Sequence, residues 1–100
     1  MSFKVAVTVG AADDIREILR WIDDRSQTGA ATWFRTWQSV LQSIRDRADH
    51  FGVAPESHSH PEPIRQALFK TRRGRPYRAL FVIQDMNVFV LHVRVPQATT

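Results

Sequence analysis

The sequence predicts an α+β fold: two layers in the order β-α-α-β-β-β, an antiparallel sheet with a helical hairpin packed on one face, as a single domain over residues 1–100. Three observations predict it. Apolar residues alternate with period two at the start, recur at helical spacing over residues 15–48, and alternate again after residue 63 between turn signals. Phe3, Val5, Val7 and Val9 alternate with Lys4, Ala6 and Thr8, the pattern of a strand with one buried face. Gly10 breaks it, and Asp13, Asp14 and Glu17 put negative charge in the first turns of a helix, where the dipole favours it. Ile15, Ile18, Leu19 and Ile22 make one apolar stripe, so that helix runs to about Asp24. Gln27-Thr28-Gly29 is a turn, with Thr28 as the predicted N-cap of a second helix. That helix carries Trp33, Trp37, Val40, Leu41, Ile44 and Ala48 on one face, and the two form an antiparallel hairpin. Residues 50–63, with Pro55, Pro61 and Pro63, read as a loop. Three strands follow at Ile64–Phe69, Tyr77–Ile83 and Val88–Arg94.

Alternation assigns Tyr77, Ala79, Phe81 and Ile83 to one face and Arg78, Leu80 and Val82 to the other. In the last strand Phe89, Leu91 and Val93, the bulkier set, are expected beneath the helices with Phe81 and Ile83. A three-residue loop, Gln84 opposite Val88, produces that pairing and gathers Arg78, His92 and Arg94 on the open face, with Arg65 joining from the side. A two-residue loop, Gln84 opposite Asn87, sets Arg78 beside Val93 instead.

Composition bounds the function. The chain has no cysteine, which excludes disulfides, thiolate zinc sites and thiol nucleophiles. No apolar run approaches the roughly 20 residues that span a bilayer, and no signal peptide is apparent, so no membrane partner and a cytoplasmic location are expected. The formal charge is +4, from 14 basic and 10 acidic residues. Residues 1–50 are neutral, with seven of each sign, so the whole excess lies in residues 51–100. Five cations, Lys70, Arg72, Arg73, Arg75 and Arg78, fall within nine positions. Arginine outnumbers lysine 12 to 2, and its planar fork suits phosphate and carboxylate alike. The turn from Lys70 to Arg75 is therefore the predicted nucleic-acid or target-binding segment, against the plainer alternative of a solvated turn.

Three arginines and a histidine on one sheet face can hold a phosphate backbone, and a histidine can move protons. The alternative is a set of ion pairs, with His92 a half-buried strand residue. His50, His58 and His60 with Glu56 and Glu62 are metal-ligand types, but a proline-rich loop lacks the fixed geometry a metal centre needs, so no metal or cofactor is expected. Ala54-Pro55-Glu56 echoes a kinase tripeptide by chance, and no glycine-rich phosphate loop or Gly-x-Ser-x-Gly elbow is present. Trp21, Trp33 and Trp37, at helical spacing, read as core or interface anchors.

The order of elements, with Pro61-Glu62-Pro63-Ile64-Arg65-Gln66, Tyr77-Arg78-Ala79-Leu80-Phe81 and Val90-Leu91-His92-Val93-Arg94, resembles the RelE/ParE superfamily over nearly the whole chain. These are small toxins of type II toxin–antitoxin modules, often called plasmid stabilisation proteins. One branch cleaves mRNA in the ribosome and another inhibits DNA gyrase without cutting nucleic acid, so the fold alone does not choose between them. By the resemblance, Glu62 is the carboxylate that takes the 2′-hydroxyl proton, Arg65 a nearby basic residue and Arg78 the arginine that stabilises the phosphorane. The catalytic candidates are thus Glu62, Arg65, Arg78, His92 and Arg94. After Arg94 the chain reads Val95-Pro96-Gln97, where a cleaving toxin carries His or Tyr. His92 lies two residues before Arg94 and is not a motif match. Loss of the terminal acid removes one partner of a general acid–base pair, worth roughly 10²–10⁴-fold in rate. The expected role is a toxin that inhibits translation or DNA gyrase, with the ribosome and its mRNA, or gyrase, as target. A cognate antitoxin is the expected neutralising partner, in a toxin–antitoxin hetero-oligomer. The alternative is a catalytically inactive protein of this fold, or a nucleic-acid-binding module without toxicity.

Overall fold

The computed structural model describes residues 2–96. Its elements are β1 (Lys4–Val7), α1 (Val9–Asp23), α2 (Gln27–Arg47), short 3-10 turns at Ala48–His50 and Pro55–Ser59, β2 (Arg65–Phe69), β3 (Tyr77–Gln84) and β4 (Asn87–Arg94). The fold is α+β, with both helices on one face of a four-stranded sheet ordered β1-β4-β3-β2.

The sheet is mixed, which corrects the expected antiparallel one: β1 pairs in parallel with β4, Lys4 opposite Asn87 through Val7 opposite Val90. The helical hairpin is the cause. α2 returns the chain to the end where β1 began, and the Phe3 N–H donates to the Arg45 carbonyl at 2.7 Å. β2 therefore starts in the direction of β1, and after two reversals β4 runs that way too.

Both helix starts lie where a side chain can cap free N–H groups. The Thr8 hydroxyl accepts from the Ala11 N–H, so α1 begins at Val9 and takes in Gly10 rather than stopping a strand there. Ser26, not Thr28, caps α2: its backbone is extended and its Oγ accepts from the Gly29 N–H at 2.9 Å.

The expected apolar faces meet. Ala11 and Ile15 of α1 and Trp33, Trp37 and Ile44 of α2 pack on Ala67, Phe69, Tyr77, Ala79 and Phe81. Burying each large side chain contributes roughly 1.5–3 kcal/mol. Trp33, Trp37, Phe69 and Tyr77 form one aromatic cluster, Trp33 meeting Tyr77 edge-on at 5.5 Å between centroids.

The last strand differs from expectation in register and face. The β3–β4 loop has two residues, Gln84 opposite Asn87, with Asp85 in the left-handed region at φ 58°. Val88 and Val90 therefore face the helices, while Phe89 and Leu91 turn to the other side. A bulge then shifts the register: Phe81 lies opposite Val90 but Leu80 opposite His92, leaving Leu91 as the extra residue. Beyond the bulge Val93 rejoins the helix-side core, and Arg78 lies opposite Arg94. The two-residue loop thus leaves Arg78 beside Arg94, because the bulge adds the residue that the loop omits.

The second sheet face is not open. The segment between α2 and β2 folds back over it, and Ala54 and Ile64 pack on Leu80 and Val82 with Phe89 and Leu91. Backbone bonds from Ala54 N–H to the Ile64 carbonyl and from Gln66 N–H to the Gly52 carbonyl fix that segment along β2. β3 is in consequence buried on both faces from Tyr77 to Val82.

Candidate functional site

Among the described residues Arg78, the second residue of β3, is the buried charge, 9% exposed. A cation there needs partners, since an unpaired buried charge costs several kcal/mol. Glu56, on the 3-10 turn Pro55–Ser59, supplies them in a two-pronged pair. Nη1 of Arg78 donates to Glu56 Oε1 at 2.8 Å, and Nη2 donates to Oε2. Nη1 also donates to Gln66 Oε1 of β2 at 3.2 Å. Nε of Arg78 is buried and has no partner among the described residues. The Arg78 hydrogen bonds hold the Glu56 carboxyl below the usual glutamate value; burial opposes that, and the charge of Arg94 adds to it. The same hydrogen bonds push the Arg78 guanidinium higher than usual. Pro55, Glu56, Gln66, Leu68, Arg78 and Pro96 line a depression of about 700 Å³ at this pair.

The other expected catalytic residues do not gather around Arg78. Glu62 accepts from Gln84 Nε2 at 2.7 Å, six residues along β3 from Arg78, or ~20 Å at strand rise. Arg65 stands opposite Phe81, on the helix side of the sheet, where its Nη1 donates to the Phe51 and Asp49 carbonyls. It closes the end of the α2 segment rather than joining from the side. His92 pairs through Nδ1 with Asp14 of α1 at 3.0 Å. The bulge turns it toward that helix, although it follows Leu91 on the strand. Arg94 alone keeps its expected place across from Arg78. Glu56, the carboxylate that does meet Arg78, enters the sequence reading only as a metal-ligand type beside the loop histidines, not as a partner of the β3 arginine. Its available signal was local: a proline opening a short helical turn with an acid next to it.

The expected target-binding cations occupy the β2–β3 turn. Lys70, Arg72, Arg73 and Arg75 are all exposed. None of the four pairs with a carboxylate among the described residues. Arg75 lies over the Trp21 ring at 4.5 Å, Arg25 lies over the same ring at 3.8 Å, and Arg75 Nε donates to the Tyr77 hydroxyl at 3.4 Å. Such contacts orient a guanidinium while leaving its remaining donors free. Trp21 is 43% exposed, a surface anchor rather than a core residue. Between this turn and the α1–α2 junction runs a groove of about 530 Å³, floored by Ile22, Trp33 and Tyr77 and rimmed by Arg72, Arg73 and Arg75.

Among the described residues no three His, Asp or Glu side chains converge as metal ligands would, and no helix is long and apolar enough to cross a membrane. Compared with known proteins, the chain matches no family model, no curated protein and no solved structure.

Proposed function

We propose that this chain is a RelE/ParE-like toxin of a type II toxin–antitoxin module, acting on translation or DNA gyrase by binding its target rather than by cutting RNA. The observation that carries the reading is the β2–β3 turn, four exposed cations without a carboxylate partner among the described residues, one of them oriented by Trp21. Dispersal of the cleavage set supports binding over cutting. Glu62, Arg65 and His92 each face a different structural partner, and Arg78 is neutralised by Glu56. A base, a phosphate-stabilising cation and an acid must sit within hydrogen-bond reach of one substrate to cleave RNA by general acid–base chemistry. The antitoxin of this reading is an acidic chain that folds onto the toxin and covers the basic turn.

Conditional expression in bacteria tests the proposal. The wild-type chain is expected to arrest growth, co-expression of a small acidic protein encoded beside it to relieve the arrest, and Arg72→Gln/Arg73→Gln/Arg75→Gln to grow normally while folding as the wild type does. A wild-type chain without effect on growth supports the non-toxic binding module instead. A triple variant as toxic as the wild type removes the turn from the mechanism.

A further inference from the structure

The groove between the β2–β3 turn and the α1–α2 junction joins one sign of charge to an aromatic floor. Its volume of about 530 Å³ lies within the roughly 300–1,000 Å³ of sites that enclose small organic ligands. Arg72, Arg73 and Arg75 stand on one rim, and no Asp or Glu belongs to the lining. None of the three pairs with a carboxylate among the described residues. The other wall holds Thr28 and Gly29, in the first turn of α2, where the helix dipole is positive and no acidic residue offsets it. Both walls therefore favour an anion.

A bare inorganic anion would leave the floor unused. Ile22, Trp33 and Tyr77 form that floor, and aromatic side chains take a flat ring in offset-stacked or edge-on contact. Trp33 is 2% exposed, and its indole Nε1 is a buried donor without a partner among the described residues. An unsatisfied buried donor costs about 1–3 kcal/mol, so an acceptor seated at the floor gains more there than on an open surface. Arg75 is already oriented, by the Trp21 ring and by the Tyr77 hydroxyl. Closing its fork on a carboxylate forfeits less side-chain freedom than immobilising a free arginine does.

We propose that this groove is a binding site for an aromatic acid, a flat ring system that carries one carboxylate. The ring lies on the floor at Trp33 and Tyr77, and the carboxylate meets the arginine rim. This goes beyond the toxin reading: it assigns a small-molecule ligand to the groove, and it stands on the lining whether or not the chain arrests growth.

The test follows the indole Nε1–H resonances of the protein during titration with naphthoate, with the uncharged isostere naphthamide, with acetate and with tetraglutamate. Trp21 and Trp33 line the groove and Trp37 does not, so Trp37 is the internal reference. Naphthoate is expected to move the Trp21 and Trp33 signals in a saturable way and the Trp37 signal least. It should bind at least about tenfold more tightly than naphthamide, the scale of one charge-assisted contact, and acetate should leave all three signals in place. Arg72→Gln/Arg73→Gln should bring naphthoate down toward the affinity of naphthamide. Thr28→Phe, at an exposed position of the lining, fills the groove from the α2 side and should abolish the response to both ring compounds. Equal affinity for naphthoate and naphthamide, equal shifts at all three tryptophans, unchanged binding in Thr28→Phe, or a response to tetraglutamate without one to naphthoate overturns the proposal. Growth arrest by the wild-type chain is measured separately, so the failure of one reading leaves the other standing.

Discussion

At the scale of single residues, Arg78 and Glu56 decide what the second sheet face can do. Removing one partner leaves the other charge in a partly dehydrated place, which for a fully buried pair costs 3–5 kcal/mol. Glu56 is a third exposed, so Arg78→Ala is expected to destabilise by about 2–3 kcal/mol in chemical denaturation, while Arg73→Ala in the turn changes stability by less than ~0.5 kcal/mol. The pair also writes a pH dependence. The folded state lowers the Glu56 pKa, so its contribution is full above the ordinary glutamate value and is lost as pH falls through the lowered one. Unfolding midpoints measured down the acid range should show wild type above Glu56→Gln at neutral pH and the two converging in acid. A constant gap at every pH contradicts the assignment. Arg78 itself was legible in the sequence as a charge inside an apolar strand. Its partner was not, since nothing in the pattern of a loop says which carboxylate a strand residue will meet 22 positions later.

At the scale of elements, the bulge in β4 is held from α1. The Thr8 hydroxyl donates to the Val90 carbonyl at 2.7 Å and caps α1 through Ala11, and Asp14 accepts from the Val93 N–H and pairs with His92. These backbone groups lie on the edge of β4 that faces β1 and α1, where the Thr8 N–H also donates to the Val90 carbonyl at 3.1 Å, and buried or half-buried groups there must find partners. Thr8→Ala loses a cap and a cross-element bond together. It is expected to cost about 1–2 kcal/mol in the denaturation midpoint, with Thr8→Ser restoring most of it; a loss of a few tenths in Thr8→Ala would show that the hydroxyl does not anchor the bulge. The two helices and the alternation of β3 were readable because each element's own periodicity records which face is buried. Val88 to Val93 reads as unbroken alternation, whereas the two-residue loop sets Val88 and Val90 inward and the bulge after Val90, contacted by Thr8 and Asp14, brings Val93 inward as well. The parallel pairing of β1 with β4 was hidden as well: it follows from where α2 returns the chain.

At the scale of the whole molecule, the charge divides into two kinds. The +4 excess lies in the second half of the chain, but Arg78 is neutralised internally and Arg65 is spent on backbone carbonyls. What stays available for a partner in that half, among the described residues, is Arg94 and the β2–β3 turn, the turn set at the rim of an aromatic-floored groove. That distribution supports a toxin that works by contact, and the most direct measurement is the state of cellular mRNA in a culture arrested by the wild-type chain, mapped by primer extension. The account predicts arrested growth with transcripts that carry no new ends within their codons. Discrete cuts in translated mRNA would contradict it, and so would a culture that keeps growing.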